Sequence, residues 1–98
     1  MRVQLEPEAS DELAEAAAYL SDQSPRAAES FLADVADTKV LLLQFPRIGT
    51  PLRGNFRRLL LRTFPYQLVY RVEGEDVRIY SVAHLKRKPE YWRRRLRR

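Results

Sequence analysis

The alternation of apolar and polar residues predicts a short N-terminal strand followed by a helix. Val3 and Leu5 share one face of the segment from Arg2 to Glu6, which is typical of a half-buried strand. Pro7 ends this strand and suits the first turn of a helix. From Glu8 onward the apolar residues recur at helical spacing, with acidic residues near the positive N-terminal end. The buried stripe of this helix comprises Leu13, Ala16, Ala17 and Leu20.

A second helix follows after a polar turn, so the first half of the chain predicts a helical hairpin. The turn is expected at Ser21 to Ser24, and Pro25 suits the first helical position after a Ser24 cap. We predict that the second helix runs from Pro25 to Leu43 and stops before Phe45-Pro46. Its apolar stripe comprises Ala28, Phe31, Val35, Thr38 and Leu42.

Proline and glycine residues mark a loop between the helical half and the second half of the chain. The loop runs from Pro46 to Gly54 and contains Gly49 and Pro51. It is longer than the median connection between elements, so it is a candidate for a functional role as well as for a plain crossover.

After Asn55 the pattern changes to a period of two and predicts three antiparallel strands. The middle strand carries Leu68, Tyr70 and Val72 on one face, and a hairpin turn is expected at 73–76. In the last strand, Val77 and Ile79 are predicted on one face and Arg78, Tyr80 and Val82 on the other. Apolar residues on both faces indicate a sheet covered by helices on one side and partly by the C-terminal tail on the other.

The predicted fold class is therefore α+β in the order β-α-α-β-β-β, with the helical hairpin packed on an antiparallel sheet. We expect a single domain over residues 1–98, which is near the lower end of the sizes that form a core without disulfides or metal. The basic C-terminal tail is expected to form a short helix over Lys88 to Arg97 or to remain frayed, because its arginines repel each other.

Charge divides the chain into an acidic half and a basic half. Residues 1–46 carry a net charge of −6 and residues 47–98 carry +11. The last fifteen residues, from His84 to Arg98, hold eight Lys or Arg against one Glu, with Tyr91 and Trp92 among them. Such one-sided charge predicts an anionic partner, either an acidic protein or nucleic acid, at the C-terminal half.

Composition excludes several classes of protein. The chain has no Cys and one His, so it has neither a disulfide framework nor a dense zinc site, and no cofactor is expected. No apolar run approaches the length of a membrane span, and the N-terminus lacks the apolar core of a signal peptide. These features predict a soluble, cytoplasmic protein with no membrane partner.

Several motifs together resemble the RelE/ParE superfamily of type II toxins, and its ParE branch in particular. The most specific are Pro46-x-x-Gly49, the run from Arg62 to Tyr66, and His84-x-x-Arg87 followed by Tyr91-Trp92. The resemblance covers nearly the whole chain. It implies a growth-arresting toxin, of the kind linked to plasmid stabilization, that is encoded with a cognate antitoxin and forms a hetero-oligomer with it.

The resemblance leaves two modes of action open. ParE-like members inhibit DNA gyrase, and the surface expected to bind that target comprises Arg87, Tyr91, Trp92, Arg93, Arg94 and Arg95. RelE-like members cleave mRNA on the ribosome, and the residues here that match such a role are His84, Arg87, Tyr91 and Arg62, with further cations from Arg57, Arg58 and Arg71. A third reading is a family member that has lost toxicity and only binds its antitoxin.

The residues themselves favour gyrase binding over catalysis. No Lys lies between Thr50 and Leu85, so the sheet offers no lysine base, and arginine stays protonated. A lone His at a strand end is also compatible with a structural role. For antitoxin binding, the mixed apolar and basic surface of Leu60, Arg62, Val69 and Arg71 is predicted to accept a helix or an added strand.

Overall fold

The computed structural model describes residues 1–87, Arg94 and Leu96. It contains two helices and five strands in the described part of the chain. In order these are β1 (Val3–Leu5), α1 (Pro7–Gln23), α2 (Pro25–Gln44), β2 (Thr50–Pro51), β3 (Phe56–Leu60), β4 (Tyr66–Glu73) and β5 (Asp76–His84), with a 3₁₀ turn at Arg53–Asn55 before β3.

The predicted α+β class is confirmed. The strands form one sheet in the order β1-β5-β4-β3-β2, in which β3, β4 and β5 form the expected antiparallel meander. The N-terminal strand β1 joins the edge of this meander and runs parallel to β5. The short strand β2 lies inside the segment predicted as a loop and pairs with Arg57 and Arg58 of β3.

The turn between the helices is a single residue, so the prediction of a polar turn over Ser21 to Ser24 is wrong. Helix α1 continues to Gln23 because Ser24 satisfies both helix ends. Its backbone N–H donates to the Leu20 carbonyl, and its side chain accepts from the Ala27 N–H. The predicted Ser24 cap with Pro25 at the first helical position is confirmed.

Both helices pack on the same face of the sheet. The five residues of the predicted α2 stripe, Ala28, Phe31, Val35, Thr38 and Leu42, are all buried. They meet a core that includes Leu68 and Tyr70 of β4 and Val77 and Ile79 of β5. Burial of this apolar surface is the main driving force for the fold.

An irregularity in β5 overturns the predicted side of Val82. Val69 pairs with Ser81 whereas Tyr70 pairs with Ile79, so β5 contains one more residue than β4 at this point. Such a bulge changes the alternation of the side chains beyond it. Val82 therefore belongs to the helix-side core with Val77 and Ile79, not to the opposite face with Tyr80.

The opposite face of the sheet, called the outer face below, has a smaller apolar cluster. Phe56, Val69 and Ala83 are buried there, and Leu96 from the C-terminal tail packs against them. Arg94 is exposed. The rest of the predicted C-terminal helix from Lys88 to Arg97 lies outside the described residues.

Candidate functional site

The outer face carries a stacked and hydrogen-bonded arginine at its centre. The guanidinium of Arg71 lies 4.5 Å from the centre of the Phe56 ring and 5.5 Å from that of Tyr80. Its Nε donates to Glu73 Oε2 at 2.9 Å, and the Tyr80 hydroxyl donates to the same oxygen. On the other side of Glu73, Arg78 Nε lies 3.5 Å from Oε1. Arg71 is thereby fixed in the sheet by two rings and a carboxylate.

The pKa values in this network favour the charged forms of the ion pair. The hydrogen bond from Tyr80 is the main cause of a lowered Glu73 pKa, and Arg71 lowers it further against the opposing effect of burial. Burial, followed by the hydrogen bond to Glu73, raises the Tyr80 pKa. Burial alone would lower the Arg71 pKa, but the hydrogen bond and the charge interaction with Glu73 raise this pKa overall. Arg71 therefore remains a cation and cannot act as a base.

His84 lies on the helix side of the sheet. It pairs across the strands with Tyr66, whose ring packs on Phe31 of α2, and the centres of the His84 and Tyr66 rings are 5.0 Å apart. His84 Nδ1 accepts a hydrogen bond from the Lys86 backbone N–H at 3.0 Å. A ring nitrogen that accepts a hydrogen bond carries no proton, so only Nε2 remains for proton transfer.

A cavity of about 250 Å³ adjoins His84 and is lined by both charge signs. His84 and Arg87 contribute from the end of β5, and α1 contributes Glu12, Glu15 and Tyr19. Glu12 also accepts hydrogen bonds from the Ser81 hydroxyl and from the Val82 N–H at the edge of β5. Burial, followed by nearby Tyr19, raises the Tyr66 pKa. The two carboxylates oppose the attraction that Arg87 would exert on a phosphate in this cavity.

Of the residues predicted for RNA cleavage, the structure brings His84 and Arg87 to one cavity, but Arg57, Arg58, Arg62 and Arg71 do not line it. Val69 and Arg58 are paired in register, so Arg58 shares the outer face with Arg71, whereas His84 faces α1 on the other side. Arg62 is exposed in the turn between β3 and β4, where its backbone N–H donates to Asp34 of α2. Arg57 donates to two loop carbonyls. Tyr91 lies outside the described residues.

The structure describes only part of the predicted target-binding surface and all of the predicted antitoxin-binding surface. In the target-binding set, Arg87 and Arg94 are exposed, and Tyr91, Trp92, Arg93 and Arg95 lie outside the described residues. In the antitoxin-binding set, Leu60 and Arg62 are exposed and Arg71 is partly buried. Val69 is fully buried in the outer cluster, so its side chain presents no surface to a partner.

The loop after α2 is tightly held, which sequence reasoning did not anticipate. The Gly49 N–H donates to the hydroxyl of buried Tyr70 at 2.9 Å, and Arg57 Nη1 donates to the carbonyls of Arg47 and Gly49. Burial raises the Tyr70 pKa, and the Gly49 bond and Arg57 oppose this. Gly49 was the sequence feature that could have indicated this arrangement, because glycine often occurs where other groups approach the backbone closely.

This loop exposes apolar side chains that the sequence pattern did not mark as functional. Phe45 is 58% exposed and Ile48 is 47% exposed, and Val40 and Leu43 near the end of α2 are also exposed. A shallow cleft of about 520 Å³ is lined by residues 44–48. The sequence did contain a sign of this surface. Phe45 and Ile48 are large apolar residues in or beside a loop marked by proline and glycine, where polar side chains are usual.

The described residues contain no group of three or more metal-ligating side chains close enough to hold an ion. No helix among them is both long and apolar enough to cross a membrane.

Comparison with known proteins identifies the family. A model of the ParE toxin of type II toxin-antitoxin systems, parDE, matches residues 3–89. No curated protein sequence matches the chain. Among solved structures, the fold resembles a chain of the chromosomal ParDE TA system from P. aeruginosa, with a TM-score of 0.74 and 19% identity over 86% of this chain and 95% of that one. It also resembles the isolated E. coli RelE toxin, with a TM-score of 0.57 and 25% identity over 97% of this chain and 95% of that one. The family match covers most of the chain, and so this protein belongs to the ParE toxin family of type II toxin–antitoxin systems.

Proposed function

We propose that this chain is a toxin that inhibits DNA gyrase by binding it, and that a cognate antitoxin neutralises it. Membership of the ParE family supports the toxin and antitoxin roles. The proposed contact surface for gyrase is the basic C-terminal half, which carries +11 of formal charge and presents Arg87 and Arg94 to solvent. Inhibition would come from steric and electrostatic trapping of gyrase while its DNA is cleaved.

The position of His84 relative to the arginines of the sheet supports binding over catalysis. His84, which is the only histidine, is separated by the sheet from Arg58 and Arg71 on the outer face. Cleavage of RNA by a base and a proton donor also needs cations positioned at the same phosphate. The cavity around His84 includes one cation, Arg87, among its lining residues, together with the two carboxylates of Glu12 and Glu15, whose charge repels phosphate. Arg71 is held by Glu73 and two aromatic rings.

Substitution of His84 by Asn tests this choice. The Asn side chain retains an acceptor for the Lys86 N–H but cannot transfer a proton at neutral pH. We expect His84→Asn to arrest growth on induction as strongly as the unmodified toxin, because a binding toxin does not require proton transfer. Circular dichroism of the purified variant checks that it is folded.

The alternative function, ribosome-dependent cleavage of mRNA, predicts the opposite result for this variant. If His84 is an acid or base in RNA cleavage, His84→Asn should abolish both growth arrest and cleavage of ribosome-bound mRNA while binding to the antitoxin survives. A folded His84→Asn protein that no longer arrests growth would therefore reject the proposal.

A further inference from the structure

The end of α2 and the loop that follows form an exposed apolar surface, called the loop patch below. It comprises Val40, Leu43, Phe45 and Ile48, each at least 43% exposed, and adjoins the cleft of about 520 Å³ lined by residues 44–48. Phe45 and Ile48 line this cleft, Leu43 directly precedes it in sequence, and Val40 lies three residues before Leu43 on α2. Contiguous exposed apolar surface on a small protein commonly marks an interaction site.

The backbone beneath the loop patch is held in place. The Gly49 N–H is bonded to the buried Tyr70 hydroxyl, and Arg57 bridges the carbonyls of Arg47 and Gly49. The loop therefore displays Phe45 and Ile48 from a fixed backbone rather than from a freely moving one. A surface that is already ordered loses less conformational entropy on binding, so such an arrangement favours a protein interface.

Charge beside the loop patch indicates the chemistry of the partner. Arg47 and Arg53 are exposed on the same loop, and their guanidinium groups make no hydrogen bond or ion pair with the residues that the structure describes. No acidic residue lies between Thr38 and Val72. The surface is thus apolar with Arg47 as its basic rim, and its complement is a segment with large apolar side chains flanked by carboxylates.

We propose that the loop patch is a docking site for the cognate antitoxin, through an apolar segment that carries acidic residues. This proposal rests on the toxin–antitoxin assignment and names a surface distinct from that of Leu60, Arg62, Val69 and Arg71. The antitoxin is the chosen occupant because family membership requires that partner of this chain, and because an acidic partner offsets the charge of a protein with a net +5.

Affinity measurements on single truncations test the proposal. The probe is the purified antitoxin produced from the gene beside that of the toxin, and its affinity for the toxin is measured by isothermal titration calorimetry. We expect Phe45→Ala and Ile48→Ala each to weaken binding about tenfold, because exposed anchors of an interface lose their pocket contacts on truncation. Leu85→Ala is the matched control, since Leu85 is similarly exposed but lies after β5, and it should change the affinity less than about twofold.

The basic rim gives an independent measurement. Arg47→Glu should slow association with the antitoxin, and the difference from the unmodified toxin should shrink as salt is raised. This surface substitution leaves the Arg47 carbonyl available to Arg57, so the fold is expected to persist even if a truncation of Phe45 disturbs the loop.

Unchanged antitoxin affinity in a folded Phe45→Ala, Ile48→Ala double variant would overturn the proposal. If that variant also lost growth arrest, the loop patch would be assigned to the toxin's target instead. An unmodified toxin that binds antitoxin through the loop patch but has no effect on gyrase would instead reject the proposed target and leave the docking site standing.

Discussion

The backbone at Gly49 leaves no space for a side chain. A Cβ placed there would lie 2.6 Å from the Tyr70 hydroxyl oxygen and 2.7 Å from the Arg58 carbonyl oxygen. Both neighbours are constrained, because Tyr70 is buried and the Arg58 carbonyl belongs to β3. Close approach, rather than an unusual backbone angle, therefore requires glycine at this position.

We predict that Gly49→Ala lowers the free energy of unfolding by about 1–3 kcal/mol, the usual cost of forcing atoms into a packed site. The measurement is urea unfolding followed by circular dichroism. Arg53→Ala in the same loop is the control, and it should stay within about 0.5 kcal/mol because Arg53 is exposed. Equal stability of Gly49→Ala and the unmodified chain would contradict the packing described for this loop.

Glu73 links stability to acidic pH. Its pKa in the folded state lies below the ordinary value of 4.5, chiefly through the Tyr80 hydrogen bond. A depressed carboxyl pKa stabilises the fold above the unfolded pKa, and the stabilisation is lost as pH falls through the folded pKa. We predict that the free energy of unfolding decreases as pH drops below about 5, and that Glu73→Gln makes this decrease shallower. Urea unfolding at a series of pH values measures both slopes, and identical slopes would show that Glu73 contributes nothing.

Asp34 explains a turn that the helical pattern did not predict. It lies on the buried side of α2, where its two carboxylate oxygens accept hydrogen bonds from the backbone N–H groups of Arg62, Thr63 and Phe64. Periodicity alone cannot foresee such a residue, because a polar side chain at an inward position looks like an interruption of the stripe. Its role becomes visible only when the turn between β3 and β4 meets the helix.

At the scale of elements, the sequence predicted helices better than strand faces. The α2 stripe and the Ser24 cap depend on residues close in sequence, and both are confirmed. The position of Val82 depends on the bulge in β5, which arises from pairing with β4 and leaves no local mark. The burial of Val69 likewise depends on packing from distant residues that include Phe56 and Leu96.

The C-terminal tail is predicted to matter more for activity than for folding. Truncation after Tyr91 removes the Leu96 contact with the outer cluster but leaves the larger helix-side core intact. We expect the truncated protein to remain folded and to lose part of its growth-arresting activity, because five arginines are removed, three of which (Arg93, Arg94 and Arg95) belong to the proposed target surface. Thermal unfolding and growth after induction measure the two effects.

Leu96→Ala in the full-length chain is the control for that truncation. It removes an apolar contact from the outer cluster while all of the tail arginines remain. Activity close to that of the unmodified toxin would assign the loss in the truncation to the removed arginines and Trp92 rather than to the Leu96 contact. Full growth arrest by the truncated protein would contradict a role for the tail in target binding.

At the scale of the whole molecule, the two halves of the chain have different physical roles. The acidic N-terminal half forms most of the helical layer, and the basic C-terminal half forms most of the sheet and all of the tail. An overall polarity of this kind speeds association with anionic or acidic partners and makes the rate sensitive to salt. Charge counting therefore predicts which half of the chain binds a partner, but it does not select the residues in contact.

The fold does not favour the proposed gyrase target over the ribosome, because the same fold occurs in ParDE and RelE proteins. The proposal depends instead on particular side chains. His84 and Arg71 lie on opposite faces, and Arg71 is committed to Glu73 and Tyr80. Whether these side chains converge is decided by strand register, which sequence spacing alone did not supply.

The most direct test is a gyrase assay with purified, antitoxin-free protein. Supercoiling of relaxed plasmid and accumulation of cleaved DNA are measured side by side over a range of toxin concentrations, with heat-denatured toxin as the control. We predict that supercoiling is inhibited and that cleaved DNA accumulates, since the toxin is proposed to trap gyrase during its DNA-cleaved step. Unimpaired supercoiling by gyrase, in the presence of a preparation that arrests growth in cells, would contradict the account.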